Sequence, residues 1–475
     1  MSNWMEKLDA YANSWLAEAN VPGAVIAVAK EGKLVYSGAF GFRDRERQLP
    51  VTLDTVFGIA SVTKSFTCAA IMKLQEEGKL SVHDPVSRYL PEFRYFGETW
   101  SNGITLHHFM THTAGIPPLP FLTGAMKRSL EQDPSIAGTE DEEELRHVDH
   151  LDTYEAVMKA IANYEGPPLA SPGGAFSYCN DGYGLLGAVI ERVSGQPYEQ
   201  YLTEHILKPL GMTRTVFHLD QLEDRENTTT LYKRIKENGG ERVAAAPLWH
   251  DAPAMRACGF LKSTARDLLA YLEMYRTLGE GKKSVLSSDS VREMIRPHVR
   301  VDGCRSYGYG LMVSPAFPDG ALIEHSGSLK GVSSHVFALP EKGLTGVVLI
   351  NVDGANSREL AAAILNLMAD REPDALLCPI QPVELDSEQL EEYAGRYDSD
   401  EWIRLEVENR DGELFAKADG NAFPMIPVGK DSFVFKRGKS VVWLDFFRSA
   451  DGKVERVCYS LRQLRKKAAD LEQTV

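Results

Sequence analysis

The chain has 475 residues, 43% hydrophobic and 25% charged, with a formal net charge of -15. That acidity excludes nucleic acid as an expected partner, since nucleic acid selects basic faces, and the length predicts two or three domains of roughly 100–200 residues each. No run of about 18 apolar residues occurs, so no membrane span is expected. Residues 1–20 lack the basic and apolar regions of a signal peptide, which points to a cytoplasmic protein with its six scattered cysteines as free thiols.

In chain order, Trp4, Leu8, Tyr11, Trp15 and Leu16 recur at helical spacing and predict an amphipathic first helix. Two β-rich runs, 23–30 and 33–40, follow as a hairpin around Glu31-Gly32. Residues 61–77 read as a helix stopped by Gly78. It opens on Ser61-Val62-Thr63-Lys64, the only Ser-x-x-Lys in the chain. Residues three apart share a helix face, so Lys64 can reach the Ser61 hydroxyl. A serine needs a base to become a nucleophile. A lysine serves as one when its ammonium is destabilised by a helix start and by burial. The competing reading is a plain N-cap by Ser61. Phe57-Gly58-Ile59-Ala60 before it and Cys68-Ala69-Ala70 after it describe a buried helix, where an idle lysine would cost several kcal/mol, on the order of a buried unpaired charge.

From about 82 to 320 the pattern is helices and Pro/Gly-rich loops. Within it, 131–152 is long, acidic and poor in apolar residues, a solvated loop by composition or, on a sharper reading, a lid. Strand-like runs return at 334–339 and 343–351 around Pro340-Glu341-Lys342, and a helix follows at 357–368. Neither strand pair can bury a face alone, so early and late strands must share one antiparallel sheet flanked by helices, with the helical region inserted between them. Residues 370–384 read as a Pro-rich acidic linker. Beyond it, turn signals at Asp411-Gly412, Asp419-Gly420, Val428-Gly429, Arg437-Gly438 and Asp451-Gly452 predict a small all-β barrel. The last residues, 461–475, look like a charged helical tail. The division expected is 1–372, a linker at 373–384, and 385–475.

Two further constellations carry chemistry. Tyr178-Cys179-Asn180 follows the loop signal Ser171-Pro172-Gly173-Gly174, and loop placement suits a catalytic group, whereas Tyr11-Ala12-Asn13 lies in the first helix. A phenol near Lys64 can relay a proton, and the Asn180 amide can hold both the lysine and a substrate carbonyl. In His325-Ser326-Gly327-Ser328, Gly327 admits close backbone approach, and the Ser328 N–H can pair with that of Ser61 as an oxyanion hole. His108 and His112 have the spacing of a zinc pair, but Phe109 stands where such a motif needs glutamate. Neither metal nor cofactor is expected, and Cys179 reads as a packing residue.

SVTK, YCN and HSG, in this order and spacing, resemble the serine β-lactamase-like superfamily, specifically its class C branch with DD-peptidases, D-amino-acid-specific peptidases and esterases. Residues 104–117 (ITLHHFMTHTAGIP), 183–193 (YGLLGAVIERV), 208–213 (KPLGMT) and 259–268 (GFLKSTARDL) agree with it. The tail, with LEEYAGRY at 390–397, resembles the lipocalin-like domain often appended to these enzymes. The resemblance implies an α/β fold and an acyl-enzyme at Ser61, with Lys64 and Tyr178 as the base system. Asn180, His325, Ser326, Gly327 and Ser328 would bind substrate, the Ser61 and Ser328 amides forming the oxyanion hole. True β-lactamases of this group carry Lys where His325 stands. A mostly neutral histidine weakens recognition of a free carboxylate. The expected substrate is therefore a small peptide or amide, possibly with D-residues, handled by a chain that can form a homo-oligomer. The alternatives are a carboxylesterase, a weak β-lactamase, or a non-catalytic penicillin-binding sensor.

Overall fold

The computed structural model describes residues 3–237, 240–282, 284–418 and 420–467. Its first sheet has nine strands and joins the two ends of the first 370 residues. Strand Gly23–Lys30 lies between Lys33–Asp44 and Leu344–Ile350, in antiparallel register from Ala24↔Ile350 to Lys30↔Leu344. Its apolar run is continuous because both faces are covered. Val25 and Ala27 enter the core of the helical region, and Ala24, Ile26 and Val28 enter a second core with helices Asn3–Glu18 and Ser357–Met368. Glu31 and Gly32 both have positive φ, 49° and 71°, the geometry that two-residue hairpin turns favour.

The middle of the chain is less uniformly helical than its pattern suggests. Tyr232–Glu237 and Gly240–Ala245 form a hairpin, and Val299–Arg300, Ser306–Tyr307 and Met312–Ser314 extend the main sheet beyond Leu322–Leu329. Strands of two or three residues are too short for alternation to register. The acidic segment at 131–152 contains helix Glu140–Leu145 and is anchored at its base rather than simply solvated. Asp133 is buried there, 2.7 Å from His250 Nε2 and 2.5 Å from Lys330 Nζ.

The second nine-stranded antiparallel sheet spans Gly395–Asp398 to Arg462–Lys466. Its edge strands, Asn421–Pro424 and Ile426–Gly429, are separated by Met425 alone, so the sheet curls into a nearly closed barrel around Tyr397, Phe433, Phe435 and Phe446. Asp419 of the expected Asp419-Gly420 turn lies outside the described residues. The helical tail is corrected: Arg462–Lys466 is a strand, paired with Val454–Tyr459 and Gly395–Asp398, and 468–475 lie outside the described residues. The turn before that strand is built by Ser460 and Leu461, both at positive φ, with no glycine to announce it.

The free-thiol expectation holds for Cys68, Cys179, Cys258 and Cys458, all buried, and fails for two. Cys304 and Cys378, 74 residues apart, form a disulfide between the edge of the main sheet and the segment that follows helix Ser357–Met368. Spacing could not reveal a contact made only by folding. Such bonds persist in oxidising compartments, which runs against the cytoplasmic expectation. Among the described residues no helix is long and apolar enough to cross a membrane.

Candidate active site

Ala60–Val62 forms a 3₁₀ turn leading into helix Thr63–Glu76, and Ala60 sits at φ 44°. A non-glycine residue in the left-handed region costs on the order of 1–3 kcal/mol and marks a position held by its surroundings. Ser61 does not cap the helix, which has no side-chain cap. Lys64 is 0% exposed. Its Nζ donates to Ser61 Oγ at 3.2 Å, Asn180 Oδ1 at 2.9 Å and the Cys258 carbonyl at 2.6 Å. Three donors meet three acceptors, the count an ammonium satisfies. The Tyr178 ring lies 4.8 Å from Nζ, and the Tyr183 ring 5.4 Å.

Strand Leu322–Leu329 brings the third motif against this turn. A Cβ on Gly327 would stand 2.2 Å from the Ile59 carbonyl oxygen and 3.1 Å from Ala60 Cβ, so only glycine lets the strand approach. Ser334 on the next strand donates to the Ile59 carbonyl at 2.8 Å and fixes that approach. Ser61, Tyr178, Asn180, His325, Ser326, Gly327 and Ser328 all line one cavity of about 430 Å³, with Lys64 beneath it.

His325 belongs to a buried chain whose ends set its direction. The Cys179 N–H donates to His112 Nδ1 at 3.0 Å, so His112 carries its proton on Nε2, 3.3 Å from Tyr307 Oη. Tyr307 Oη lies 3.0 Å from His325 Nε2, and His325 Nδ1 lies 2.7 Å from the Ser326 carbonyl, which can only accept. Each donor therefore points from Cys179 toward Ser326. Burial, then the charge of Lys64, lowers His325 to about 3 and holds His112 well below its ordinary value. Both histidines are neutral at pH 7, and His325 has no free N–H for a substrate carboxylate. His108, by contrast, closes the cap of its own helix through Thr105. Among the described residues no metal-binding cluster of His, Cys, Asp or Glu occurs.

The Beta-lactamase family model matches residues 4–369 of this chain. The chain belongs to the Beta-lactamase family. Residues 381–472 match a family described only as a domain of unknown function, DUF3471. Protein flp of Staphylococcus aureus is 26% identical over 351 residues, 73% of this chain and 63% of flp, so the chain spans less than two thirds of that relative. Esterase EstB of Burkholderia gladioli is 29% identical over 366 residues, 73% of this chain and 90% of EstB. The octameric penicillin-binding protein homologue from Pyrococcus abyssi superposes with a TM-score of 0.69 at 30% identity, covering 97% of this chain and 99% of its own. SurE, at 24% identity and a TM-score of 0.70 over 98% of this chain and 99% of its own, shares the fold.

The C-terminal barrel supplies one wall of this Beta-lactamase-family cleft. Glu401, Leu461 and Arg462 line the cavity, and the Tyr178 N–H donates to the Leu461 carbonyl at 2.8 Å. Gln463 Nε2 donates to the Phe176 carbonyl at 2.9 Å. The Arg462 guanidinium sits 4.8 Å over the face of Tyr178 opposite a 2.9 Å contact to Glu401. Their place in the site, like that of His112 and Tyr307, escapes sequence reading because nothing local links them to the motifs.

Asp181, at the start of helix Asn180–Ser194, is 2% exposed and its Oδ1 has no hydrogen-bond partner among the described residues. Burial, then the charge of Glu401, pushes its carboxyl up to about 8. An unfolded aspartate loses its proton near pH 4, about four units lower. Between those values the folded chain binds the extra proton, so stability falls as pH rises. Asp181→Asn is expected to flatten that fall and raise stability at pH 8 by more than about 1 kcal/mol, read as thermal melts from pH 5 to pH 8.

Proposed function

We propose that this chain is a serine hydrolase that forms an acyl-enzyme on Ser61, with peptides or amides as its substrates. The observation that carries the reading is Lys64 Nζ, buried without a carboxylate partner among the described residues and bonded to both Ser61 Oγ and Asn180 Oδ1. Ser61 Oγ attacks the carbonyl carbon, and the Ser61 and Ser328 amides receive the oxyanion. The proton passes to the base system of Lys64 and Tyr178, whose ring lies 4.8 Å from Lys64 Nζ and 4.8 Å from the Arg462 guanidinium. The same pair then returns it to the leaving nitrogen. Water attacks the ester by the reverse route and frees Ser61. Asn180 orients the substrate amide. We assign this chemistry to residues 1–372, joined through 373–384 to the barrel at 385–475, and infer no cofactor.

The locked His325 supports substrates without a free carboxylate at the position where β-lactams carry one, which counts against a β-lactamase. A carboxylesterase on the same residues is the second reading, favoured by the likeness to EstB. Self-association is inferred from the octameric homologue and is checked by sedimentation. The deciding experiment is intact-mass spectrometry after incubation with D- and L-peptide amides and simple esters. An acyl adduct is expected, most abundant with amides, and Ser61→Ala should abolish it. An adduct that survives Ser61→Ala would sink the reading, and adducts with esters alone would favour the esterase.

A further inference from the structure

A second cavity, of about 620 Å³, adjoins the catalytic cleft and contains no residue of the three motifs. Its size falls within the roughly 300–1,000 Å³ of small-molecule sites. Its walls come from the edge of the main sheet at 300–306 and 314–322, helix Ser357–Met368, the segment 373–379, and barrel strand Ser440–Arg448 with Lys439 before it. The Cys304–Cys378 disulfide joins two of these walls. Arg305, Asn356 and Arg358 line both cavities, so they stand where the two meet.

Hydrocarbon and unspent donors share these walls. Phe317 and Leu322 are buried in the core of the terminal helices, and Leu377 packs against it. Trp443 lies against the Gly303 backbone, where a Cβ would stand 2.3 Å from its ring. Leu376 is 40% exposed, apolar surface left open to water. The acids of the wall are largely spent. Asp302 Oδ1 accepts from the Cys304 and Arg305 N–H groups at 2.9 and 2.8 Å, and its Oδ2 from Arg305 Nε at 2.8 Å. Glu359 accepts from Trp15 Nε1 and Ser440 Oγ, both at 2.8 Å, and from Asn356 Nδ2 at 3.2 Å. Asp374 is exposed. Among the cations, Arg300 faces Asp445 at 3.6 Å. Lys439 has no carboxylate partner among the described residues, its Nζ lying 5.1 Å over the Tyr11 ring. Arg358 Nε and Nη2 both donate to Glu324 Oε1. That leaves Nη1 of Arg305 and Nη1 of Arg358 without a hydrogen-bond partner among the described residues. Neither is a buried orphan, so both face open space.

We propose that this second cavity binds an apolar monocarboxylate, its carboxylate on Arg305 and Arg358 at the junction and its hydrocarbon against Phe317, Leu377 and Trp443. Guanidinium N–H groups pair best with the oxygens of a carboxylate. An amine is repelled there, and a neutral hydrocarbon leaves both Nη1 groups unmatched. The site needs no step at Ser61, so it goes beyond the hydrolase reading and stands or falls apart from it.

The test is isothermal titration calorimetry of the full chain with octanoate, butanoate and octanamide. Octanoate is expected to bind saturably. Butanoate should bind at least about tenfold more weakly, because each methylene taken out of water is worth roughly fourfold. Octanamide should also bind at least about tenfold more weakly, because the charge-assisted bonds are lost. Leu376→Asp puts a charge beside the hydrocarbon and should weaken octanoate by about tenfold or more, since that charge loses water when the ligand enters. Its side chain is exposed, so the melting temperature should stay that of the wild type. Ala362→Phe fills the cavity from helix Ser357–Met368 and should weaken octanoate likewise. Absence of octanoate binding overturns the inference, and so does octanamide that binds as tightly. Octanoate binding that survives both substitutions belongs to the catalytic cleft and overturns it as well. No arm depends on turnover at Ser61, so failure here leaves the hydrolase reading untouched.

Discussion

Lys64→Met is expected to slow acylation of Ser61 by about 10³-fold or more, within the range that loss of a positioned proton-transfer group produces. The side chain is fully buried, so methionine of similar length fills the space, and the only group removed is Nζ. That atom is what places a positive charge against Ser61 Oγ and beside Tyr178. Without it, the Ser61 proton has no stabilised acceptor and Asn180 loses the donor that orients it. Stability should change little, because a buried cation without a carboxylate partner contributes no ion pair and its removal relieves desolvation. The paired measurement is the rate of adduct formation by intact mass together with the melting temperature. A normal rate with an unchanged melting temperature would falsify a role for Lys64. Lys64→Arg should also be inactive, since a planar guanidinium cannot meet three acceptors clustered around one nitrogen.

Arg462→Ala is expected to lower kcat/KM by roughly 10- to 100-fold, the loss that follows from displacing a reacting group by about 1 Å. Arg462 comes from the barrel, yet its guanidinium covers the Tyr178 ring, and the preceding residue holds the Tyr178 backbone. Its removal exposes one face of Tyr178 and leaves Glu401 without a counter-charge near Asp181. The Arg462 and Glu401 side chains are 19% and 21% exposed, so solvent screening keeps the stability cost to about 1–2 kcal/mol, between the surface and buried limits. Glu401→Gln in the Arg462→Ala background should recover part of that stability while activity stays low, because the charge imbalance is relieved and the wall over Tyr178 is not. Steady-state kinetics and melts on the four members of this double-mutant cycle check both parts. Equal activity in wild type and Arg462→Ala would confine the barrel to a role outside the cleft.

Much of the scaffold was legible in the chain because it depends on local periodicity. The run 23–30, the Glu31-Gly32 turn and the helix at 357–368 are each specified by apolar spacing or by a residue suited to positive φ, and the structure places them there. Ser61 and Lys64 were legible for the same reason, since three residues along a helix bring two side chains together whatever else the chain does. The short strands between 299 and 314 were not, because two residues define no period.

The sequence by itself determined four neighbouring strands of the main sheet, the existence of a β-rich C-terminal region and the pairing of Ser61 with Lys64. Only the tertiary structure decided which groups surround that pair. The direction of the His112–Tyr307–His325 chain is imposed by a backbone donor at Cys179 and a backbone acceptor at Ser326, 147 residues apart along the chain by their numbering. Glu324 and Arg358 meet through helix packing. Arg462 reaches Tyr178 because Ser460 and Leu461 turn the chain at positive φ, a conformation their side chains resist and their composition conceals. Local spacing fixes contacts within one element, whereas contacts between elements depend on how apolar faces pack, and no residue carries that information alone.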